Sequence, residues 1–587
     1  MSSLVREGIG VSPGIVIGQA LVVERGVGEV PERRLAPAEV ADELARVDDA
    51  IETVRQELLD VEQLAGREVG EGIAQIFDAQ KMILDDHSFA GPLHARISED
   101  LHNAEWAVQT VGVELQARFA RIDDPYLRAR GADIETLTTH LLRILLGQSA
   151  PRLDRLDEPV IVVAHDISPA QTATLDREHL LGFVTDAGGR TSHTAIMARS
   201  REIPAVVGMH DATQHVRTGD LVILDGAEGL LIVKPDEATE REYRSKRAAY
   251  RVREAELAAQ REEDSVTPDG HPVTLRANLE SAREIEVARR NGATGVGLFR
   301  SEFLYLRADN ELPDEEAHFE EYRAVLEAVG PGAPVTIRTL DLGGDKDLPE
   351  VFGGGEHDGL LGLRGIRRSL GDDALFVPQV RGLLRASAHG SLRIVLPFIT
   401  EVAEVVAARE RILAIAAELR ESGEPVDEDI PIGAMLEVPA ATMIIEHLAD
   451  HVDFFSVGTN DLIQYLLAVD RTNDAVAHLY EPLHPGVLRI LDRVTATARA
   501  RSVPLILCGE VAADPLTAMV LLGLGFDELS MTPGSIPVIR SLVRRLPMAE
   551  ARRIAAHALT LPTAREVEEF ALEQLMAHFP DGFMVAG

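Results

Sequence analysis

The feature that most constrains the fold is a repeat of short apolar runs, each followed by a helical pattern, in the second half of the 587-residue chain. The eight runs lie at residues 273–278, 295–299, 335–340, 392–397, 432–436, 452–457, 504–507 and 526–530. Strands that alternate with helices form parallel sheets, and eight such units are typical of a closed barrel. We therefore predict a C-terminal (β/α)8 barrel over residues 265–575, followed by a tail over residues 576–587.

Polar side chains stand at the ends of several of these runs. The C-terminal ends of barrel strands meet at one face, and barrel enzymes carry their active sites there. The residues that mark this face in the sequence are Arg300, Arg338, Glu437, Asn460, Asp461 and Cys508. Their positions predict that the second half of the chain is an enzyme.

Most of these side chains also have a purely structural interpretation. The arginines could form surface ion pairs, which are common. Asn460 or Asp461 could cap a helix. Cys508, the single cysteine of the chain, could be a packed core residue or a proton donor, with Gly509 leaving room for a ligand.

The first part of the chain combines α/β and helical patterns. Short apolar runs at residues 15–18, 20–23, 159–163 and 230–233 indicate strands, whereas apolar residues recur at helical spacing between residues 31 and 147. We predict an α/β domain over residues 1–30 and 148–233, with a helical bundle inserted at residues 31–147. A polar segment rich in Glu and Arg, residues 234–264, is predicted to be a helical linker.

One histidine lies between a strand-like run at residues 180–185 and a helical pattern. The sequence from residue 188 to residue 200 reads GGRTSHTAIMARS, which places His193 at the expected helix start. Unpaired N–H groups at a helix N-terminus suit a phosphate, and a neutral imidazole is a competent nucleophile near pH 7. His193 is therefore a candidate carrier of a phosphoryl group, although an isolated histidine in such a turn could simply cap the helix.

Composition narrows the classes of function. The formal net charge of −38 argues against nucleic acid and anionic membranes as partners. It is equally compatible with a basic protein partner and with a role in solubility alone. One cysteine excludes an intrachain disulfide, and no apolar run approaches the ~20 residues that span a bilayer. Without a signal-peptide core at its N-terminus, the chain is expected to be cytoplasmic.

The histidine string resembles the phosphohistidine signature of enzymes that use phosphoenolpyruvate. Together with the barrel strings GVGLFRSEFLYL, TIRTLDLGGDKD, GAMLEVPAA, DFFSVGTNDLIQYLLAVDR and CGE, it makes the chain resemble the Enzyme I family of phosphoenolpyruvate-protein phosphotransferases from near residue 8 to about residue 575. The resemblance implies that His193 takes a phosphoryl group from phosphoenolpyruvate, releases pyruvate and passes the group to the carrier protein HPr, the first step of sugar uptake. It also implies a swivelling phosphohistidine domain, an HPr-binding bundle and a phosphoenolpyruvate-binding barrel.

The resemblance also implies how the substrate is held. Arg300, Arg338 and Arg471 match positions that bind the substrate in the family. The family usually has Glu-Asn-Pro shortly before its Leu-Gly-X-Arg string, whereas this chain has His-Asp-Gly at residues 357–359. Arg364 still matches the arginine of that string and is expected to bind substrate as well.

The remaining roles concern the metal, the proton and the histidine. By the same resemblance, Asn460 would contact the substrate phosphate, and Glu437 and Asp461 would bind Mg²⁺. Cys508 would protonate the enolate to give pyruvate, and Thr172 would support the phosphorylated histidine. A homodimer formed through the barrel is implied by the family alone.

Two other functions are compatible with parts of the sequence. A pyruvate phosphate dikinase or phosphoenolpyruvate synthase shares the histidine signature but needs an ATP-binding domain ahead of it, and only residues 1–192, largely helical, precede His193. A regulator that docks a carrier protein without catalysis is the other alternative. The retained nucleophile, metal ligands and arginines argue against it.

Overall fold

The chain forms two compact units, residues 1–252 and 253–586. The computed structural model describes residues 4–23, 30–68, 83–84, 87–119, 134, 137–147, 156, 158–167, 179–189, 194–195, 198, 203–307, 312–342, 361–471, 473 and 476–579. The predicted nucleophile His193, its expected supporting residue Thr172 and the departure at residues 357–359 lie outside the described residues.

The first unit contains an eight-stranded sheet. Its strands are β1 (Leu4–Glu7), β2 (Ile9–Ser12), β3 (Ile15–Val23), β4 (Val160–Ala164), β5 (Leu180–Thr185), β6 (Ala205–Val207), β7 (Leu221–Asp225) and β8 (Leu230–Val233). They lie in the order β1-β8-β7-β3-β4-β5-β6-β2. Strands β3, β4, β5 and β6 pair in parallel, and the remaining pairs are antiparallel.

Apolar residues on successive positions of the central strands face opposite sides of the sheet. Val162 and Phe183 belong to one buried cluster, and Ile161, Val163 and Val184 belong to another. Both faces of the sheet are therefore covered, which explains why these strands are continuous apolar runs rather than alternating ones.

Helices occupy the segment between β3 and β4. In chain order the helices of the first part are α1 (Val40–Glu68), α2 (His87–Ser98), α3 (Ala104–Phe119), α4 (Ala212–His215) and α5 (Glu237–Ala259). Buried side chains of α1, α2, α3 and residues 137–142, such as Val54, Leu93 and Val108, form one apolar cluster. Most of the segment between α1 and α2 lies outside the described residues.

The second unit contains a closed barrel of eight parallel strands, as predicted. Its strands are β9 (Thr274–Leu279), β10 (Val296–Arg300), β11 (Val335–Arg338), β12 (Leu392–Leu396), β13 (Ile432–Leu436), β14 (Phe455–Val457), β15 (Leu505–Leu507) and β16 (Glu528–Met531). The barrel closes where β16 pairs with β9. With the mixed α/β sheet and helices of the first unit, it confirms the predicted fold class.

Some strands are shorter than the apolar runs that predict them. β11 ends at Arg338 because the N–H of Leu340 donates to the side chain of Gln379 instead of continuing the ladder. β15 begins at Leu505 rather than at Pro504, which has no N–H to donate. Side-chain hydrogen bonds and proline thus trim strands that apolarity alone would extend.

Helices surround the barrel. They are α6 (Ile285–Arg290), α7 (Glu302–Arg307), α8 (Glu315–Val329), α9 (Ile366–Gly371), α10 (Asp373–Ala386), α11 (Val402–Glu421), α12 (Pro439–Met443), α13 (Ile445–Leu448), α14 (Thr459–Leu467), α15 (Pro485–Ala500), α16 (Pro515–Leu524), α17 (Ile536–Arg545), α18 (Met548–Ala558) and α19 (Ala564–His578). Residues 576–578 of the expected tail are therefore the end of α19. Across the described residues, every helix is either too short or too polar to cross a bilayer.

Candidate functional site

Strand alternation fixes which side chains reach the C-terminal mouth of the barrel. Met435 and Ile506 pack together in an apolar cluster separate from the large core shared by the strands and helices. Glu437 and Cys508 follow them by two positions, so they lie on the same face as these residues. Polar side chains thus lie next to this apolar cluster, at the C-terminal end of the barrel where barrel enzymes carry their active sites.

Arg338, the last residue of β11, is buried among carboxylates. Its Nη2 donates to Oε1 of Glu302 at 2.8 Å, and its Nη1 lies 2.8 Å from Oδ2 of Asp341. Oε2 of Glu437 lies 4.0 Å from the same Nη1. A guanidinium held this way cannot swing into solvent, so it presents a fixed positive charge at the strand end.

Arg364 joins the same group of side chains. Its Nε and Nη2 donate to the two oxygens of Asp341 at 3.0 Å each, and Nη2 also donates to Oδ2 of Asp461 at 2.8 Å. Nη1 donates to the hydroxyl of Tyr465 at 3.1 Å. The next residue, Gly365, has φ of +57° and approaches Phe398 so closely that a Cβ would lie 2.6 Å from its Cβ.

Three buried carboxylates converge between these arginines. Oxygens of Asp341, Glu437 and Asp461 lie within 4.8 Å of one another. Burial raises the pKa of the Glu437 carboxyl well above its ordinary value, and the neighbouring charges of Asp341 and Asp461 raise it further.

The donor set fits a divalent cation. With Glu302, four carboxylates face the two guanidiniums of Arg338 and Arg364, so the ionised group is short of positive charge. Carboxylate oxygens are the hard ligands that Mg²⁺ prefers. Glu437 and Asp461 are the members of the group that sequence analysis predicts as its ligands.

Arg300, at the end of β10, is more accessible than the other two arginines. Its Nη1 donates to Oε1 of Glu280 at 3.0 Å, and its Nη2 lies 3.6 Å from Oε1 of Glu510. The N–H of Glu510 in turn donates to Oδ1 of Asn460 at 3.2 Å. Arg300 is therefore part of an ion-paired rim, and Asn460 accepts a hydrogen bond from the start of the short 3-10 helix Glu510–Ala513.

Cys508 lies at the end of β15 with its side chain buried. The hydroxyl of Ser456 donates to its Sγ at 3.1 Å, and Sγ lies 3.4 Å from the carbonyl oxygen of Val457. Burial raises the pKa of the thiol, which keeps it protonated near neutral pH. The space expected beside Gly509 is already filled, because a Cβ there would lie 1.5 Å from Oγ1 of Thr459.

Arg471 lies beyond the end of α14, the helix that carries Asp461. Its N–H donates to Oε1 of Gln464 at 3.3 Å. Burial raises the pKa of Tyr480, and the positive charge of Arg471 partly offsets that rise. Ion pairs tie Arg338 to Glu437 and Arg364 to Asp461, and Asp341 joins the two pairs because it contacts both arginines. Arg300, Asn460 and Cys508 lie around this group.

Sequence analysis missed two carboxylates of this group, Asp341 and Glu302. Both lie in the strings quoted above, and each closely follows an arginine that ends a strand. Asp341 comes three residues after Arg338, at the end where barrel sites form. A carboxylate that closely follows a strand-ending arginine is the sequence signal that identifies both residues.

A mostly apolar cavity of about 160 Å³ adjoins the carboxylate group. Phe398 connects the two, since its N–H donates to Oε1 of Glu437 at 2.6 Å. The cavity is lined by Leu361, Gly362, Arg367, Phe398, Thr400, Val438 and Tyr465.

Known families match nearly the whole chain. Residues 254–548 match the model of the PEP-binding domain of PEP-utilising enzymes, residues 7–130 match the model of their N-terminal part, and residues 156–229 match that of their mobile domain. The chain is 42% identical over 567 residues to a phosphoenolpyruvate-protein phosphotransferase of Listeria innocua, covering 96% of this chain and 98% of the relative. Proteins of the same name from Geobacillus stearothermophilus and Bacillus subtilis are each 40% identical, with 97% of this chain and 99% of each relative covered.

Proposed function

Since the chain belongs to the phosphoenolpyruvate-protein phosphotransferase family, we propose that it phosphorylates His193 with phosphoenolpyruvate, releases pyruvate and transfers the phosphoryl group to the carrier protein HPr. The observation that carries the proposal is the buried group of Arg338, Arg364, Glu437 and Asp461 at the mouth of the barrel. Fixed guanidiniums beside clustered carboxylates suit an anionic phosphate together with a divalent cation.

The arginines would supply the binding energy for the substrate. Arg338 and Arg364 are held rigidly by buried carboxylates, and Arg300 is the more accessible cation at the rim. We assign them to the phosphate and carboxylate of phosphoenolpyruvate, with Arg471 as a further cation and Asn460 as a donor to the phosphate. Preorganised cations are effective because phosphoryl transfer depends on positioning and charge neutralisation.

The metal site of the proposal consists of Glu437 and Asp461, and Mg²⁺ is the proposed ion. When bound, Mg²⁺ would offset negative charge on the substrate. The raised pKa of Glu437 supports the assignment, because a carboxyl among like charges gains most from a nearby cation.

The proton and the phosphoryl group move on different residues. An imidazole nitrogen of His193 attacks phosphorus, the bond from phosphorus to the enol oxygen breaks, and its electron pair stays on the enolate. The methylene carbon of the enolate then takes a proton from the Sγ of Cys508, which gives pyruvate and a thiolate that solvent reprotonates. The buried thiol is protonated beforehand because burial raises its pKa. We assign Thr172 to the support of His193 on the strength of sequence alone.

The remaining assignments concern partners and domains. We propose that residues 31–147 bind HPr, that residues 1–30 and 148–233 carry His193 as a swivelling domain, and that residues 234–264 link them to the barrel. The net charge of −38 supports a basic carrier surface. A homodimer formed through the barrel, a location in the cytoplasm and a role in sugar uptake complete the proposal.

The proposal is tested by intact mass measurement after incubation with phosphoenolpyruvate and Mg²⁺. The unchanged protein should gain one acid-labile phosphoryl group and release pyruvate, and His193→Ala should gain none. His215→Ala, at an exposed histidine of the same unit, is the matched control and should be phosphorylated normally. Full phosphorylation of His193→Ala would contradict the assignment of the nucleophile.

A further inference from the structure

The guanidinium of Arg364 contacts both a proposed metal ligand, Asp461, and the neighbouring carboxylate of Asp341. Nη2 of Arg364 donates both to Oδ2 of Asp341 at 3.0 Å and to Oδ2 of Asp461 at 2.8 Å. Asp461, a proposed metal ligand, is therefore already paired with an arginine. A cation that binds Asp461 has to compete with that pairing.

We propose that Asp341 is a positioning residue that retains Arg364 in the site when Asp461 exchanges Arg364 for the metal ion. The inference rests on the proposed function, because it takes Asp461 as a metal ligand and Arg364 as a substrate-binding residue. It assigns a role to a residue that sequence analysis overlooked.

The geometry of Asp341 suits an anchor better than a ligand. Both of its oxygens accept from Arg364 at 3.0 Å, and Oδ2 also lies 2.8 Å from Nη1 of Arg338. Glu437 differs, because its Oε1 accepts from the N–H of Phe398 while its Oε2 lies 4.0 Å from Arg338. Asp341 is thus paired with two guanidiniums, whereas Oε2 of Glu437 lies farther, at 4.0 Å, from Arg338.

Asp341 is itself held in place. Its side chain is fully buried, and its N–H donates to Oε1 of Glu302 at 3.1 Å. The same oxygen of Glu302 accepts from Arg338 at 2.8 Å. Water cannot substitute for a partner at so enclosed a position, so Asp341 is a fixed carboxylate that Arg338 and Arg364 share.

Loss of the Asp341 charge has a specific consequence for the metal. Nη2 of Arg364 would no longer be shared with a charged Asp341, so its ion pair with Asp461 would become stronger. A cation would have to break that stronger ion pair to bind Asp461. Binding of the cation should weaken through Arg364, without any direct bond from Asp341 to the ion. Substrate binding should also weaken, because Arg338 and Arg364 lose their shared anchor.

A double-mutant cycle on the full-length protein separates these routes. Mn²⁺ binding is measured without substrate by electron paramagnetic resonance for the unchanged protein, Asp341→Asn, Arg364→Met and the double variant. Asp341→Asn should weaken Mn²⁺ binding by roughly tenfold, and in the Arg364→Met background the same change should alter binding by less than about threefold, as expected for residues that act through contact. The KM for phosphoenolpyruvate should rise in Asp341→Asn by at least the same factor as kcat falls.

Asp269→Asn is the matched control. Asp269 precedes β9, and its two oxygens accept from the N–H groups of Met548 and Ala549. Its loss should lower thermal stability while leaving Mn²⁺ affinity unchanged. A general effect of removing a satisfied aspartate is thereby distinguished from an effect on Arg364.

Several outcomes would overturn the inference. Equal weakening of Mn²⁺ binding by Asp341→Asn in both backgrounds would make Asp341 a ligand, and no weakening would remove its role. If Asp341→Asn does not fold by circular dichroism, Arg364→Met decides, since unchanged or weaker Mn²⁺ binding in that variant contradicts competition by Arg364. Failure of the unchanged protein to bind Mn²⁺ would overturn the proposed metal site itself, a result distinct from the others.

Discussion

Burial sets the state of the single cysteine. The Cys508 thiol packs beside Ser456 inside the barrel mouth, and burial raises its pKa, so the proton stays on sulfur at neutral pH. A protonated thiol can donate to a carbanion, whereas a thiolate could not. A kinetic experiment distinguishes this proton donor from an inert core cysteine.

Cys508→Ala should therefore reduce the rate of pyruvate formation by roughly 10²–10⁴-fold, the range for positioned acid–base groups. Binding of phosphoenolpyruvate should change little, because the arginines remain in place. Ile506→Val, in the same apolar cluster, is the packing control and should cost about 0.5–1.5 kcal/mol of stability without slowing the reaction. Stopped-flow measurement of pyruvate distinguishes the variants. Normal turnover of Cys508→Ala would show that Cys508 is a packed core residue and not the proton donor.

The positions of site residues were predictable where a side chain ends a strand. Alternation along the strand places Glu437 and Cys508 on the same face as Met435 and Ile506, and the sequence alone shows that spacing. Asp341 was missed because it follows the end of its strand in a loop, where alternation no longer applies. Its partner Arg364 is 23 residues away in sequence, a contact that no local pattern reveals.

At the scale of elements, the start of α9 positions Arg364. Gly365 precedes the first residue of the helix with φ of +57°, and it packs against Phe398 too closely to admit a Cβ. The left-handed backbone there turns the chain so that Arg364 lies against Asp341 and Asp461. A residue with a Cβ would have to move this turn.

Gly365→Ala should consequently destabilise the barrel by about 1–3 kcal/mol, the cost of local backbone strain, and weaken substrate binding by displacing Arg364. Gly371→Ala, at the other end of the same helix, is the control, because nothing lies within 4 Å of its added Cβ. Chemical denaturation and the KM for phosphoenolpyruvate are measured for both. Equal effects at the two positions would refute the role of the turn.

Helix α8 packs against α7 and α10 around a buried histidine. His318 of α8 is buried, with Nδ1 3.0 Å from the hydroxyl of Tyr322 and Nε2 3.3 Å from that of Tyr305. Tyr322 also accepts from Gln379 of α10 at 3.1 Å. Burial lowers the pKa of His318 to about 3, which keeps the imidazole neutral in the folded barrel.

This histidine predicts a dependence of stability on pH. Below its ordinary pKa of about 6.5 the unfolded chain binds a proton that folded His318 does not bind until pH reaches about 3. Above pH ~6.5 the histidine is neutral in both states and does not disfavour folding. Below that pH, protonation of the unfolded chain lowers the free energy of unfolding by up to about 1.4 kcal/mol per pH unit. His318→Gln should flatten the fall in unfolding free energy between pH 7 and pH 5 relative to the exposed control His451→Gln. Parallel curves for the two variants would contradict the prediction.

The elements themselves were largely predictable. Each of the eight apolar runs became a barrel strand, because a strand buried on both faces must be apolar throughout. The ends were less predictable, since they depend on side chains from elsewhere in the chain. Gln379, for example, ends β11 by accepting from the N–H of Leu340, 39 residues before it.

At the scale of the whole molecule, the two units carry different parts of the proposed chemistry. The histidine string lies within residues 1–252, whereas the arginines and carboxylates lie within residues 253–586. The metal is proposed at the barrel alone. Reactions of the histidine that bypass the barrel should therefore not need the metal ligands.

Glu437→Gln and Asp461→Asn, each in the full-length protein, should abolish phosphorylation of His193 by phosphoenolpyruvate. Both should still accept a phosphoryl group from phosphorylated HPr, because that transfer uses His193 without the carboxylates of the barrel. His193→Ala should lose both reactions, and a variant with an unrelated, exposed carboxylate changed, Asp269→Asn, should retain both. Phosphorylation is followed by intact mass with each donor in turn. Equal loss of the two reactions in Glu437→Gln and Asp461→Asn would mean that the carboxylates support the phosphohistidine unit itself, and the proposed separation between donor site and carrier site would have to be abandoned.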